Sequence, residues 1–105
     1  MKPTMKDIEA FCEALTNVTN DRFQKMGDTV NSASFEVSRP VGKVYARIVQ
    51  KSFVSGSPCS GGSAHCFVKL EDGSLWKPAG WKGPAKNFSR GSVFELPTNE
   101  YAGRC

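Results

Sequence analysis

The spacing of apolar residues changes period once along this chain, and that change restricts the class of fold open to it. Met5, Ile8, Phe11, Cys12, Leu15, Val18, Phe23 and Met26 recur at steps of three and four, with one wider step. That is the stripe of a helix with one buried face. Thr4 with Asp7 forms an N-terminal capping signal, and Gly27 stands where a helix ends. The period then drops to two. Ala33, Phe35 and Val37 alternate with Ser34, Glu36 and Ser38, as in a half-buried strand. One helix over about residues 4–27, followed by strands, predicts an α+β fold. In it the N-terminal helix packs on an antiparallel sheet of three to five strands.

Inside the helical segment, Thr16-Asn17-Val18-Thr19-Asn20-Asp21 is rich in poor helix formers. This run predicts a kink or a split, with Thr19 or Asn20 recapping the second half. Arg39–Gly42 reads as a turn or strand end. Val44–Gln50 follows with Val44, Ala46 and Ile48 on one face and Tyr45, Arg47 and Val49 on the other. Apolar weight on both faces predicts a central strand. Ser55–Ser63 has no apolar pattern and reads as a flexible loop.

His65–Leu70 is the next strand. Asp72-Gly73 reads as a two-residue turn that sets Leu70 against Leu75, Lys69 against Trp76 and Val68 against Lys77. Pro78 then breaks the ladder. A helical turn near Pro84–Phe88, a strand at Ser92–Leu96 and a loose tail at 97–105 complete the reading. The sheet spans about residues 33–96 of one 105-residue domain. Its far face is expected to be partly open and to bear Tyr45, Arg47, Phe67, Lys69 and Trp76.

The charge is concentrated. The net charge of +4 equals the four cations Lys77, Lys82, Lys86 and Arg90 of Gly73–Phe94, a stretch without Asp or Glu. The same stretch holds Trp76, Trp81, Phe88 and Phe94. Cations follow phosphates and flat rings stack on bases, so this is the composition of a single-stranded nucleic-acid surface. It is equally the composition of a run whose tryptophans close the core while its lysines face water. Trp76, Lys77, Trp81, Lys82, Lys86 and Arg90 are the candidate binding residues, for nucleic acid or for an acidic protein partner.

Catalysis is not expected. The single histidine, His65, alternates away from Ala64 and Cys66, and no paired-carboxylate or nucleophile motif is present. Glu71 and Asp72 belong to the turn. Cys12 reads as a buried free thiol on the helix stripe. Cys59, His65 and Cys66 supply zinc-type ligands but lack a CxxC pair and a fourth ligand, so no metal or other cofactor is expected. No apolar run approaches the roughly 20 residues of a membrane span, and the N-terminus lacks a secretory apolar stretch. These features predict a cytoplasmic protein that does not bind membranes. The oligomeric state stays open, a homodimer included.

The run Ala64-His65-Cys66-Phe67-Val68, then Asp72–Lys86, then Arg90-Gly91-Ser92-Val93-Phe94 resembles small proteins of tailed bacteriophages. In those, an aromatic-Val strand leads through GD(I/L)YKPASWKAPAK to an RGN(I/V)F ending. Tyr45–Val49 is similar to an earlier strand of the same proteins, so the resemblance covers roughly residues 43–95. Gly80 and Gly83 depart from it, standing where Ser and Ala are expected, and the Ser/Gly loop is longer. The resemblance implies a phage accessory protein acting in the bacterial cytoplasm on host nucleic acid, host polymerase or a defence system. It leaves three readings: nucleic-acid binding, inhibition of a host protein, and sequestration of a nucleotide.

Overall fold

The structure is a computed structural model, and it describes residues 2–38, 41–59, 62–81, 83–85 and 91–95. Helix α1 spans Met5–Lys25. Thr4 and Asp7 form a reciprocal capping box. The Asp7 N–H donates to Thr4 Oγ1 at 3.2 Å, and the Thr4 N–H donates to Asp7 Oδ2 at 2.8 Å. At the other end the Asp28 N–H donates to the Phe23 carbonyl at 2.8 Å and the Gly27 N–H to that of Gln24 at 3.0 Å. These two bonds close a Schellman-type cap. The Asp28 carboxylate then accepts from the backbone N–H groups of Val30 and Asn31, both at 3.0 Å. This turns the chain into strand β1, Asn31–Val37.

Contrary to the expected kink, α1 runs unbroken through Thr16–Asp21. The polar residues there have another task. Asn20 Oδ1 accepts from the Ala33 N–H at 2.8 Å, and Asn20 Nδ2 donates to the Ala33 carbonyl at 3.0 Å. Thr16 Oγ1 accepts from the Phe35 N–H at 3.0 Å while donating to the Cys12 carbonyl at 2.9 Å. The outer edge of β1 is thereby bonded to helix side chains instead of another strand, which protects it from edge-to-edge pairing.

Strand β2, Tyr45–Val54, is central, as its two apolar faces predict. It pairs antiparallel with β1 (Val37 opposite Ile48) and with β4, Ser63–Lys69 (Ile48 opposite Cys66). Strand β5, Leu75–Trp76, lies beyond β4. The expected flexible loop at 55–63 is in part ordered. Ser55 and Gly56, with φ of 51° and 80°, make a tight turn into β3, Ser57–Pro58, which pairs back on the end of β2.

The core lies between α1 and one sheet face. Ile8, Phe11 and Leu15, all 0% exposed, meet Phe35, Ile48, Cys66, Val68 and Leu75, and Val93 closes one end. Each such large side chain contributes about 1.5–3 kcal/mol by leaving water. Met26, the last residue of the expected stripe, is 66% exposed because it already lies in the cap.

The hairpin register differs from expectation by two residues. Phe67 pairs with Trp76 and Val68 with Leu75, and the Lys69 N–H donates to the Ser74 carbonyl. A two-residue hairpin turn of either favoured type would need positive φ at Asp72, but of the two residues only Gly73 has it, at 78°. Asp72 instead accepts from the Ser74 N–H at 2.9 Å and the Ser74 hydroxyl at 2.6 Å. The Gly73 N–H reaches the Lys69 carbonyl at 2.7 Å, which makes a four-residue loop of Leu70–Gly73. An even shift preserves the faces, so Trp76 still lies on the far side.

Over the described part of the strand expected at 92–96, Ser92 bridges Ser74 and no strand follows through Glu95, while Leu96 lies outside the described residues. Pro78 does not end the pairing either. The Ala79 N–H donates to the Gly83 carbonyl and the Ala85 N–H to that of Lys77, with Pro78 opposite Pro84 between them. Both prolines occupy the non-hydrogen-bonded pair, where a missing N–H costs nothing. The expected helical turn at 84–88 is therefore extended at Pro84 and Ala85. Its remainder, and the tail 97–105, lie outside the described residues.

Candidate functional site

The far face of the sheet carries the features that set this chain apart. Across it run two rows, Tyr45 opposite Lys69, and Arg47 opposite Phe67 opposite Trp76. As expected, this face is partly open, with Tyr45, Arg47, Lys69 and Trp76 half-buried on it. Phe67, by contrast, is only 3% exposed. The Lys77–Ala85 arm lies over this face with Trp81 at its tip. The Arg47 guanidinium sits 4.3 Å from the Trp81 ring centroid and 6.0 Å from that of Phe67. Tyr45 meets Phe67 edge-on at 6.4 Å. A cation between two π faces contributes from about 0.5 kcal/mol when wet to about 2 when desolvated.

Of the candidate residues, Trp76, Lys77 and Trp81 are placed. Trp76 is half-buried, and its indole N–H donates to Ser74 Oγ at 2.8 Å. It is tied to the Asp72 turn, where hydrogen bonds from the Ser74 hydroxyl and N–H hold the Asp72 carboxyl below its usual range. Lys77 is exposed at the base of the arm. Trp81 is 48% exposed, so one side of its ring packs and much of the rest meets water. Lys82, Lys86 and Arg90 lie outside the described residues.

Two openings flank the Arg47–Trp81 stack. The smaller, of about 280 Å3, is lined by Ser38, Lys43, Tyr45, Arg47, Phe67 and Pro84. Gly42 also lines it, and a Cβ there would fall 2.6 Å from the Tyr45 carbonyl oxygen. The larger, of about 640 Å3, crosses the β1 edge between the first half of α1 and Trp81. Glu9, Glu13 and Glu36 line it, and Lys51 beside Glu36 is bonded to it. The bigger groove is thus acidic on balance, whereas the smaller is lined by cations without a carboxylate.

Cys12 also lines the larger groove. It is a free, buried thiol, as the helix stripe predicts. Burial, then the Glu9 and Glu36 charges, pushes it up to about 12, so it stays protonated at neutral pH. His65 is not where strict alternation puts it. Ile48 pairs with Cys66 but Val49 with Ala64, so His65 is the extra residue of a bulge. Its ring meets the core residue Phe35 edge-on at 5.0 Å. Ala64 lines a shallow depression with Pro78–Trp81 instead. Cys66 is fully buried while Cys59 is exposed. Among the described residues, no three His, Cys, Asp or Glu side chains are placed to hold a metal ion. No helix among them is long and apolar enough to cross a membrane.

Lys43, Tyr45, Arg47 and Pro84 escaped the candidate set read from sequence. Alternation along 44–50 was the available signal for Tyr45 and Arg47. Nothing local marked Lys43 or Pro84, which the arm brings to the same pocket.

Fold and site together define a small α+β protein whose sheet carries a helix on one face and an aromatic-tipped arm on the other. The chain matches DUF7717, a family of unknown function, over residues 2–102, and belongs to that family. No curated protein and no solved structure matches it.

Proposed function

We propose that this protein is a non-enzymatic phage accessory protein that binds nucleic acid in the bacterial cytoplasm through the Lys77–Ala85 arm and the basic run that follows it. The observation that carries this reading is Trp81, half-exposed at the arm tip with the Arg47 guanidinium stacked beneath it. A base stacks on the exposed part of such a ring, at about 1–3 kcal/mol. Cations alongside neutralise the strand phosphates. Lys82, Lys86 and Arg90 add charge in sequence where no acidic residue intervenes. Trp76 acts as a structural support because its indole N–H is already used by Ser74.

Fluorescence anisotropy with labelled single- and double-stranded oligonucleotides tests the reading. At roughly 50 mM salt, chosen to favour phosphate contacts, binding is expected. It should weaken steeply as salt rises and fall with Trp81→Ala or with Lys82→Glu and Lys86→Glu together. Absence of binding to either form at that salt sinks the proposal.

The acidic groove favours a second reading, inhibition of a host protein. Glu9, Glu13 and Glu36 repel phosphates and suit a basic protein segment. That reading expects a nuclease-resistant complex from host lysate that Glu13→Lys abolishes. A complex indifferent to Glu13→Lys counts against it.

A further inference from the structure

We propose that the 280 Å3 pocket on the far sheet face is a binding site for a phosphate group, with Arg47 as its central ligand. Arg47 Nη1 donates to Ser38 Oγ at 3.2 Å, and its Nε is shut off from solvent without an acceptor among the described residues. No carboxylate among those residues pairs with it. A guanidinium placed between two rings, with a neutral hydroxyl as its hydrogen-bonded partner, has donors and charge to spare. Removing such a donor from water without a partner is unfavourable. An anion entering the pocket would relieve that cost.

The lining selects the kind of anion. Lys43 is a second cation, and Ser38 and Tyr45 bring hydroxyls. Ser38 Oγ accepts from Arg47, so its own proton remains available to donate. No acidic side chain lines the pocket, in contrast to the larger groove. Two cations and two hydroxyls suit the several oxygens and the charge of a phosphate. Tyr45, Phe67 and Pro84 supply apolar wall for whatever the phosphate carries. The phosphate belongs either to a nucleic-acid strand or to a free nucleotide. In the first case the pocket deepens the nucleic-acid reading and rests on it.

The test uses the full chain and follows the Arg47 Nε–H resonance by NMR, with tryptophan fluorescence as a second signal. The probes are inorganic phosphate, AMP, a 12-residue oligothymidylate and glutamate. Phosphate and AMP are expected to move the Arg47 resonance saturably, and glutamate is not. Arg47→Met, which keeps an apolar stem between the rings, and Lys43→Glu, an exposed position that leaves the core intact, should each weaken AMP binding by at least about 10-fold. Competition by the oligothymidylate identifies a strand phosphate as the natural ligand. AMP binding without such competition identifies a free nucleotide.

An unmoved Arg47 resonance, equal response to glutamate, or unchanged affinity in both variants overturns the site. Oligonucleotide binding in a protein whose Arg47 resonance neither phosphate nor AMP moves removes the pocket and leaves the nucleic-acid reading standing. AMP at Arg47 in a protein that binds no oligonucleotide does the reverse.

Discussion

Asn20 is the most informative single position for the fold. Its amide makes both hydrogen bonds to the Ala33 backbone, at 2.8 and 3.0 Å, and so completes the outer edge of β1. Asn20→Ala removes both at once. Each bond is worth about 1 kcal/mol net, and more where the abandoned backbone group stays dry. The site is part-buried, so water recovers some of the loss. Alanine also regains about 0.5 kcal/mol of helix propensity. The expected destabilisation is about 2 kcal/mol, near 10 °C in Tm for a domain of this size.

Urea unfolding followed by circular dichroism measures it, with an unchanged m-value as evidence that the same surface unfolds. Asn17→Ala, on an exposed face of the same helix, is the control and should be neutral or slightly stabilising. Amide exchange at Ala33 should accelerate in Asn20→Ala. Asn20→Asp keeps the acceptor for the Ala33 N–H but turns an oxygen toward its carbonyl, so it should be no better than alanine. Asn20→Ala within about 0.5 kcal/mol of the wild type, with Ala33 protection unchanged, would refute the edge-capping role.

Gly73→Ala should destabilise by about 2–3 kcal/mol in the same assay. The backbone sits at φ 78°, and a Cβ would fall 2.9 Å from Phe94 Cε2 and 3.0 Å from Val93 Cγ1. Cys12 should make the fold sensitive to alkali. Its thiol is protonated up to about 12 when folded but ionises near 9.0 when unfolded. The stability it contributes is therefore complete below pH 9 and is lost as pH rises toward 12, by about 1.4 kcal/mol at pH 10. Stability measured from pH 8 to 10.5 should fall less steeply in Cys12→Ala than in the wild type. A thiol reagent at pH 8 should label Cys59 at once and Cys12 only on unfolding.

Much of the fold was legible along the chain. The change from a helical period to alternation marks the helix, β1, β2 and β4, because burial on one face imposes those periods directly. The capping box and Gly27 marked the helix ends for the same local reason. The free, buried Cys12 followed from its place on the stripe.

Other features depend on partners distant in sequence. Thr16–Asn20 looked like a weak point because helix propensity is local, whereas their hydrogen bonds go to β1. The bulge at His65 arises from pairing with β2 and leaves no trace in alternation. The hairpin register turned on whether Asp72 adopts positive φ or accepts from Ser74, and Ser74 decided it.

The site divides along the same line. Composition alone located the basic, aromatic segment and put Tyr45, Arg47, Phe67 and Trp76 on a common face, since charge counts and two-residue periodicity need no tertiary information. Only the folded arm placed Trp81 over Arg47, buried Phe67 and enclosed a cationic pocket with Lys43 and Pro84. Those contacts join residues tens of positions apart, and they need the arm to pair back on itself, which its two prolines permit because they face each other in a non-hydrogen-bonded pair.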